Sequence, residues 1–84
     1  MITLNLLGGL RYAIGENILI VNKSQMTISE VLEFLKIKSK NNKIIDSNNI
    51  LISINGIDSN VLGGDDAIAR DGDKLTLVTI VHGG

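Results

Sequence analysis

The sequence predicts an α+β protein in which one helix packs on one face of a small mixed sheet. Three observations carry that reading. Apolar stretches with the period or composition of strands lie near both ends and in the middle, one amphipathic helical stripe lies between them, and the chain is too short for a second core. The 84 residues fall near the usual size of one domain. A chain of that length buries roughly 60% of its unfolded surface. A helix stripe and three or four strand faces hide one another most simply as two layers.

Ile2, Leu4 and Leu6 alternate with Thr3 and Asn5, the period-two pattern of a strand over Ile2 to Leu7. Gly8-Gly9 breaks it, and Gly8 to Glu16 reads as a connection with an irregular turn. Asn17 to Asn22 is apolar and rich in β-branched residues, so it reads as a second strand covered on both faces for part of its length. Thr27-Ile28-Ser29-Glu30 fits a capping box. Behind it Ile28, Val31, Leu32 and Leu35 fall at i, i+3, i+4 and i+7, one buried helical face. Glu30, Glu33, Lys36 and Lys40 take the other face, with acid early and base late as the helix dipole favours. The helix is expected from about Ile28 to about Lys38, ended by Asn41-Asn42.

Ile50 to Ile54 reads as a third strand, followed by Asn55-Gly56, a turn signal because both residues tolerate positive φ. Ile57 to Ala69 is expected as a loop with a very short strand near Ala67 to Ala69. Asp71-Gly72-Asp73 is a second turn. Lys74 to Val81 is the last strand, with Leu75 and Leu77 on one side and Thr76, Val78 and Ile80 on the other. The order strand, strand, helix, strand, short strand, strand is that of a ubiquitin-like β-grasp. Residues 1–81 are expected to form this domain and residues 82–84 a flexible C-terminal diglycine tail.

Composition narrows the function. The chain is 44% hydrophobic and 20% charged, with a net charge of −1 from 8 basic and 9 acidic residues, as in a folded, water-soluble domain. It lacks the basic footprint that releases counterions from phosphates. Tyr12 and Phe34 are its only aromatic residues, too few for base stacking. No direct nucleic-acid partner is expected. Without cysteine there is no disulfide, thiolate nucleophile or Cys-type zinc site. The apolar start, Met1 to Leu7, lacks a basic n-region and is too short for a signal peptide. No run approaches the ~20 apolar residues of a membrane helix. A cytoplasmic protein with no bound cofactor and no membrane partner is expected.

No side-chain constellation supports catalysis, so no catalytic residue and no metal site is assigned. His82 near the end of the chain is poorly placed as the base of a triad. Asp71-Gly72-Asp73 lacks the ligand spacing of an EF-hand, and Asp65-Asp66 reads like it as a solvated turn. Gly8-Gly9 and Gly63-Gly64 lack the lysine and hydroxyl residue of a phosphate loop and read as turns.

The remaining candidate is Gly83-Gly84. A terminal glycine pair arises by chance at about 0.5 to 1% for such glycine usage, and it directly follows a strand. Four extended residues from Val81 to Gly84 span on the order of 13 Å. Without Cβ atoms, Gly83 and Gly84 can thread a narrow channel. A carboxylate is a poor acyl donor because its oxygen leaves poorly. Attack on the α-phosphate of ATP converts it to an acyl adenylate, which a sulfur donor or a lysine amine can then take. Such chemistry asks of this chain only a reachable carboxylate; ATP, Mg²⁺ and catalytic groups belong to a partner. The competing reading is a frayed end.

The sequence resembles the ubiquitin-like sulfur carriers: the molybdopterin synthase small subunit, the thiamine sulfur carrier, the archaeal small modifiers and the ubiquitin-related modifier. The residues carrying the likeness span nearly the whole chain. They are Leu10-Arg11-Tyr12-Ala13-Ile14-Gly15, Thr27-Ile28, Ile52-Ser53-Ile54-Asn55-Gly56, Asp71-Gly72-Asp73 and Val81-His82-Gly83-Gly84. The resemblance implies a β-grasp fold and adenylation of Gly84 by a partner of the ubiquitin-activating type. A thiocarboxylate would follow, passing sulfur to molybdopterin or a tRNA base, or an isopeptide bond to target lysines. The chain itself would be a carrier or modifier rather than an enzyme. Thr79-Ile80 stands where molybdopterin-type members often carry Pro-Pro, and the His-Gly-Gly ending is similar to the ubiquitin-related modifier. The resemblance therefore leans to protein modification and tRNA thiolation.

Val78 and Ile80, with Leu7 and Leu51 alongside, are the candidate patch for docking the activating enzyme or a synthase large subunit; loops covering them is the other reading. His82 either contacts the adenylating enzyme or is a solvated tail residue. Lys23, Lys36, Lys38, Lys40, Lys43 and Lys74 are self-conjugation acceptors or ordinary surface lysines. The alternative function is a non-covalent β-grasp interaction module, or a synthase subunit, with an incidental diglycine.

Overall fold

The computed structural model describes residues 1–40 and 45–80. The expectations placed on Asn41, Asn42, Lys43 and residues 81–84 lie outside the described residues. In chain order the elements are β1 (Ile2–Leu7), α1 (Gly9–Ile14), β2 (Ile18–Val21), β3 (Gln25–Thr27), α2 (Ile28–Lys38), β4 (Ile50–Ile54) and β5 (Ile57–Asp58). Two short 3₁₀ turns, Ser59–Leu62 and Gly64–Asp66, lead to β6 (Ile68–Arg70) and β7 (Lys74–Thr79).

Five strands form one mixed sheet in the order β2-β1-β7-β4-β5. β7 occupies its centre, parallel to β1 and antiparallel to β4. The alternation read in β1 is realised: Ile2, Leu4 and Leu6 are fully buried. Leu75 and Leu77 of β7 face the same way and are equally buried, joined by Ile50, Ile52 and Ile54 of β4. α2 closes this layer with Ile28, Val31, Leu32 and Leu35. The stripe predicted from spacing is therefore the helix's contribution to the core, and the β-grasp architecture is the observed one.

α2 starts as its sequence dictates. The Glu30 N–H donates to Thr27 Oγ1 at 3.1 Å, and the Thr27 N–H donates to Glu30 Oε1 at 3.0 Å, which satisfies two otherwise orphaned donors. The helix ends at Lys38. Ser39 caps that end: it turns extended while its N–H still donates to the Leu35 carbonyl at 2.9 Å.

The last strand stops at Thr79, short of the expected range Lys74 to Val81, and the structure departs from the sequence expectations in four further places. Gly9–Ile14 is a six-residue helix, where an irregular turn was expected. β2 is covered on one face only. Val21 is buried and Leu19 packs against the core, but Ile18 and Ile20 are exposed. The cause is topological: β2 is an edge strand, and its outer face continues the open face of the sheet. β3 pairs antiparallel with β6, Met26 opposite Ala69, forming a two-stranded ribbon of which only the β6 half was expected. β5 pairs with β4 through Ser53–Asp58 and Ile54–Ile57, a strand of two residues inside the expected loop. The two-residue connection has Asn55 at φ 51° and Gly56 at φ 85°, the positive values a primed hairpin turn demands.

Candidate functional site

The expected working group, Gly84, with Gly83 and His82, lies outside the described residues. The structure describes the root from which that segment leaves and the surface beside it. β7 is held on both long edges by β1 and β4, with Leu77 fully buried beneath. Two further contacts secure its last residues. The Ile80 N–H donates to the Asn49 carbonyl at 2.7 Å. On the other side, the Gly9 N–H, the first donor of α1, donates to Thr79 Oγ1 at 3.1 Å. The side chain of β7 thereby supplies the N-terminal cap that Gly8 cannot.

Glycine is favoured at that junction. Gly8 sits at φ 61°, and a Cβ on Gly9 would stand 3.2 Å from Thr79 Oγ1. The pair lets the backbone turn sharply out of β1 and seat α1 against the end of β7. This is the structural role that the sequence reading, which took Gly8-Gly9 as a turn, did not assign. Thr79, Gly9 and Asn49 were likewise missed. One signal was present: Leu10 to Ile14 followed by Gly15 carries a helix stop, and the Gly15 N–H does donate to the Arg11 carbonyl at 2.8 Å.

The apolar candidates are brought together. Leu7 of β1 lies opposite Val78 of β7, which lies opposite Leu51 of β4. The three form one transverse row on the outer face of the sheet. Leu7 and Leu51 are 45% and 47% exposed, and Ile80, two residues beyond Val78, is 44% exposed; Val78 is half-buried between its neighbours. An exposed row at the exit of the last strand is thus a feature of the folded chain.

The carboxylates work elsewhere, in turns. Asp73 Oδ2 accepts the Arg70 N–H at 2.7 Å, and Asp73 Oδ1 accepts Asn55 Nδ2–H at 2.9 Å. The Arg70 backbone donor first, and the Asn55 amide second, hold the Asp73 carboxyl below its usual range. Asp71 pairs with the N-terminal ammonium of Met1. The Glu30 carboxyl is likewise lowered, by the Thr27 backbone N–H above all. Among the described residues, no three acidic, histidine or cysteine side chains gather as metal ligands would. No described helix is long and apolar enough to cross a membrane.

A mixed five-stranded sheet packed on one helix, with a short helix capped by the final strand, defines a protein of the ubiquitin-like β-grasp class. The ThiS family model matches residues 4–84. The chain belongs to that family, one of ubiquitin-like sulfur carriers and modifiers. Solved structures agree on the fold. The small archaeal modifier protein 1 of Methanosarcina acetivorans is 25% identical, with 99% of this chain and 95% of that one covered and a TM-score of 0.77. Urm1 from Trypanosoma brucei is 22% identical over 99% and 94%, TM-score 0.75. A chain of the BexX/CysO complex of Amycolatopsis orientalis is 24% identical over the full length of both, TM-score 0.75. No curated protein matches the sequence.

Proposed function

We propose that this chain is a cytoplasmic ubiquitin-like carrier whose working group is the Gly84 carboxyl. An adenylating partner of the ubiquitin-activating type binds ATP and Mg²⁺. The carboxylate oxygen attacks the α-phosphorus, pyrophosphate leaves, and the carboxyl becomes an acyl adenylate. A sulfur nucleophile or a target lysine amine then adds at that carbonyl carbon and AMP leaves. The product is a thiocarboxylate precursor in the first case and an isopeptide bond in the second. The thiocarboxylate would serve tRNA thiolation or, with a synthase large subunit, molybdopterin synthesis.

The observation that carries this reading is the family match, which runs through residue 84. The anchored root supports it. A donor carboxyl must be delivered to another protein's active site, and β7 is fixed through Thr79 and Ile80 by hydrogen bonds on both sides. The Leu7–Val78–Leu51 row supplies apolar surface for the partner beside the exit.

The test is removal of Gly83-Gly84. The truncated chain keeps its melting temperature and loses ATP–pyrophosphate exchange with the adenylating partner; retained exchange defeats the proposal. The exposed row also favours a second reading, a non-covalent interaction module. Under that reading the truncated chain still binds its partner unchanged, and neither sulfur nor a lysine branch ever appears on Gly84 in protein isolated from its native cells.

A further inference from the structure

Asn55-Gly56 is the only Asn-Gly dipeptide in the chain, and it forms the tip of the β4–β5 hairpin. Every polar atom of the Asn55 side chain is engaged. Nδ2 donates to Asp73 Oδ1 at 2.9 Å, and Oδ1 accepts the Lys74 N–H at 3.0 Å. The Asn55 N–H itself donates to the Lys74 carbonyl at 2.8 Å. This carboxamide therefore latches the hairpin tip to the turn that starts β7.

We infer that Asn55 is a site of spontaneous hydrolytic deamidation that the native fold holds in check, and that the reaction breaks the latch. Glycine after asparagine offers no side chain to hinder its own amide nitrogen. In an open chain the Gly56 nitrogen gives up its proton to solvent base and attacks Asn55 Cγ. The Cγ–Nδ2 bond breaks and ammonia leaves, having taken up a proton. Water then opens the succinimide at either carbonyl, leaving aspartate or isoaspartate at position 55. The net change is one water consumed and one ammonia released, with no redox step.

Two features of the folded state oppose that attack. The hydrogen bonds to Asp73 and Lys74 fix the carboxamide away from its own chain. The Asn55 N–H bond to the Lys74 carbonyl pins the backbone of the same residue, so bringing the Gly56 nitrogen onto Asn55 Cγ requires the hairpin tip to open. The product cannot restore the latch. An aspartate oxygen in the place of Nδ2 faces an Asp73 carboxylate that remains ionised at neutral pH, exchanging an attraction for a repulsion. Isoaspartate adds a backbone carbon to a two-residue turn whose length sets the Ile54–Ile57 pairing.

The full-length chain is incubated at pH 8 and 37 °C, natively and in urea, and the peptide bearing position 55 is followed by mass spectrometry. Native deamidation is expected to be slower by about tenfold or more, because it proceeds only through the open population. The Asp73→Ala chain, verified as folded, deamidates at Asn55 faster than the native chain. Separately, Asn55→Asp melts about 4–8 °C below the parent. Equal rates with and without urea overturn the inference. So does a folded Asp73→Ala chain that deamidates at the native rate. If Asp73→Ala does not fold, an Asn55→Asp chain that melts with the parent overturns it instead.

Discussion

Thr79 Oγ1 accepts the Gly9 N–H at 3.1 Å across 70 residues of sequence. One hydroxyl thus joins the end of the central strand to the start of a helix that could not cap itself. The contact also explains the glycine before it: a side chain at position 9 would press on the acceptor. Thr79→Val keeps the shape and removes the acceptor. It is expected to cost about 0.5–1.5 kcal/mol, seen as a lower urea midpoint and faster amide exchange at Gly9, whereas Thr79→Ser restores both. Equal midpoints for Thr79→Val and the parent would show that the hydroxyl does not hold α1.

Core truncation separates the architecture from this surface contact. Leu77 lies at 0% exposure in the central strand, between β1 and β4. Leu77→Ala removes contacts on every side and is expected to cost about 2–5 kcal/mol, read as a shift of the urea midpoint at unchanged slope. Leu35→Ala, also fully buried but on α2, falls in the same range of about 2–5 kcal/mol.

The elements that sequence disclosed are those whose signal is local. The Thr27–Glu30 box and the Ile28–Leu35 stripe specify α2 within a dozen residues, and β1 declares itself by alternation. What stayed hidden depends on distant partners. β5 is two residues long, below any periodicity. β3 becomes a strand because β6 lies beside it. The exposure of Ile18 and Ile20 follows from the outer face of the sheet being open, which β-branched composition does not reveal. At the site, the apolar candidates Leu7, Leu51 and Val78 were legible from strand parity, and register then placed them in one row. Thr79 was not, because its partner is 70 residues away.

Acid weakens the fold by a route that the Glu30 and Asp73 carboxylates define. Glu30 and Asp73 both titrate lower in the native chain than their ordinary values of 4.5 and 3.8. Between those limits the unfolded chain binds more protons than the native one, so stability rises with pH there. Their contribution is complete above the ordinary carboxylate range and fades as pH falls through it toward the lowered native values. The urea midpoint is expected to be level from neutral pH to about 5 and to decline below that. Glu30→Gln gives a shallower decline, and an unchanged acid slope in that variant would remove Glu30 from the account.

The outer row makes the last prediction. Leu51 stands in register with Val78, which stands in register with Leu7, and Leu51 is 47% exposed. A charge on so open a side chain leaves the core intact, and surface changes of this kind usually alter stability by less than about 0.5 kcal/mol. If the row is where an adenylating partner docks, Leu51→Lys must desolvate an ammonium against apolar surface. Apparent affinity for that partner is then expected to fall about tenfold or more, as for an interface anchor. The loss should appear in KM for the carrier, while kcat at saturating carrier stays near the parent value, because the Gly84 carboxyl is unaltered. Ile20→Lys on edge strand β2 is the matched control. Ile20 is exposed and lies opposite Thr3, four residues along β1 from Leu7, so KM should hardly move. Equal losses from the two variants would mean that apolar surface in general, and not the Leu7–Val78–Leu51 row, receives the partner.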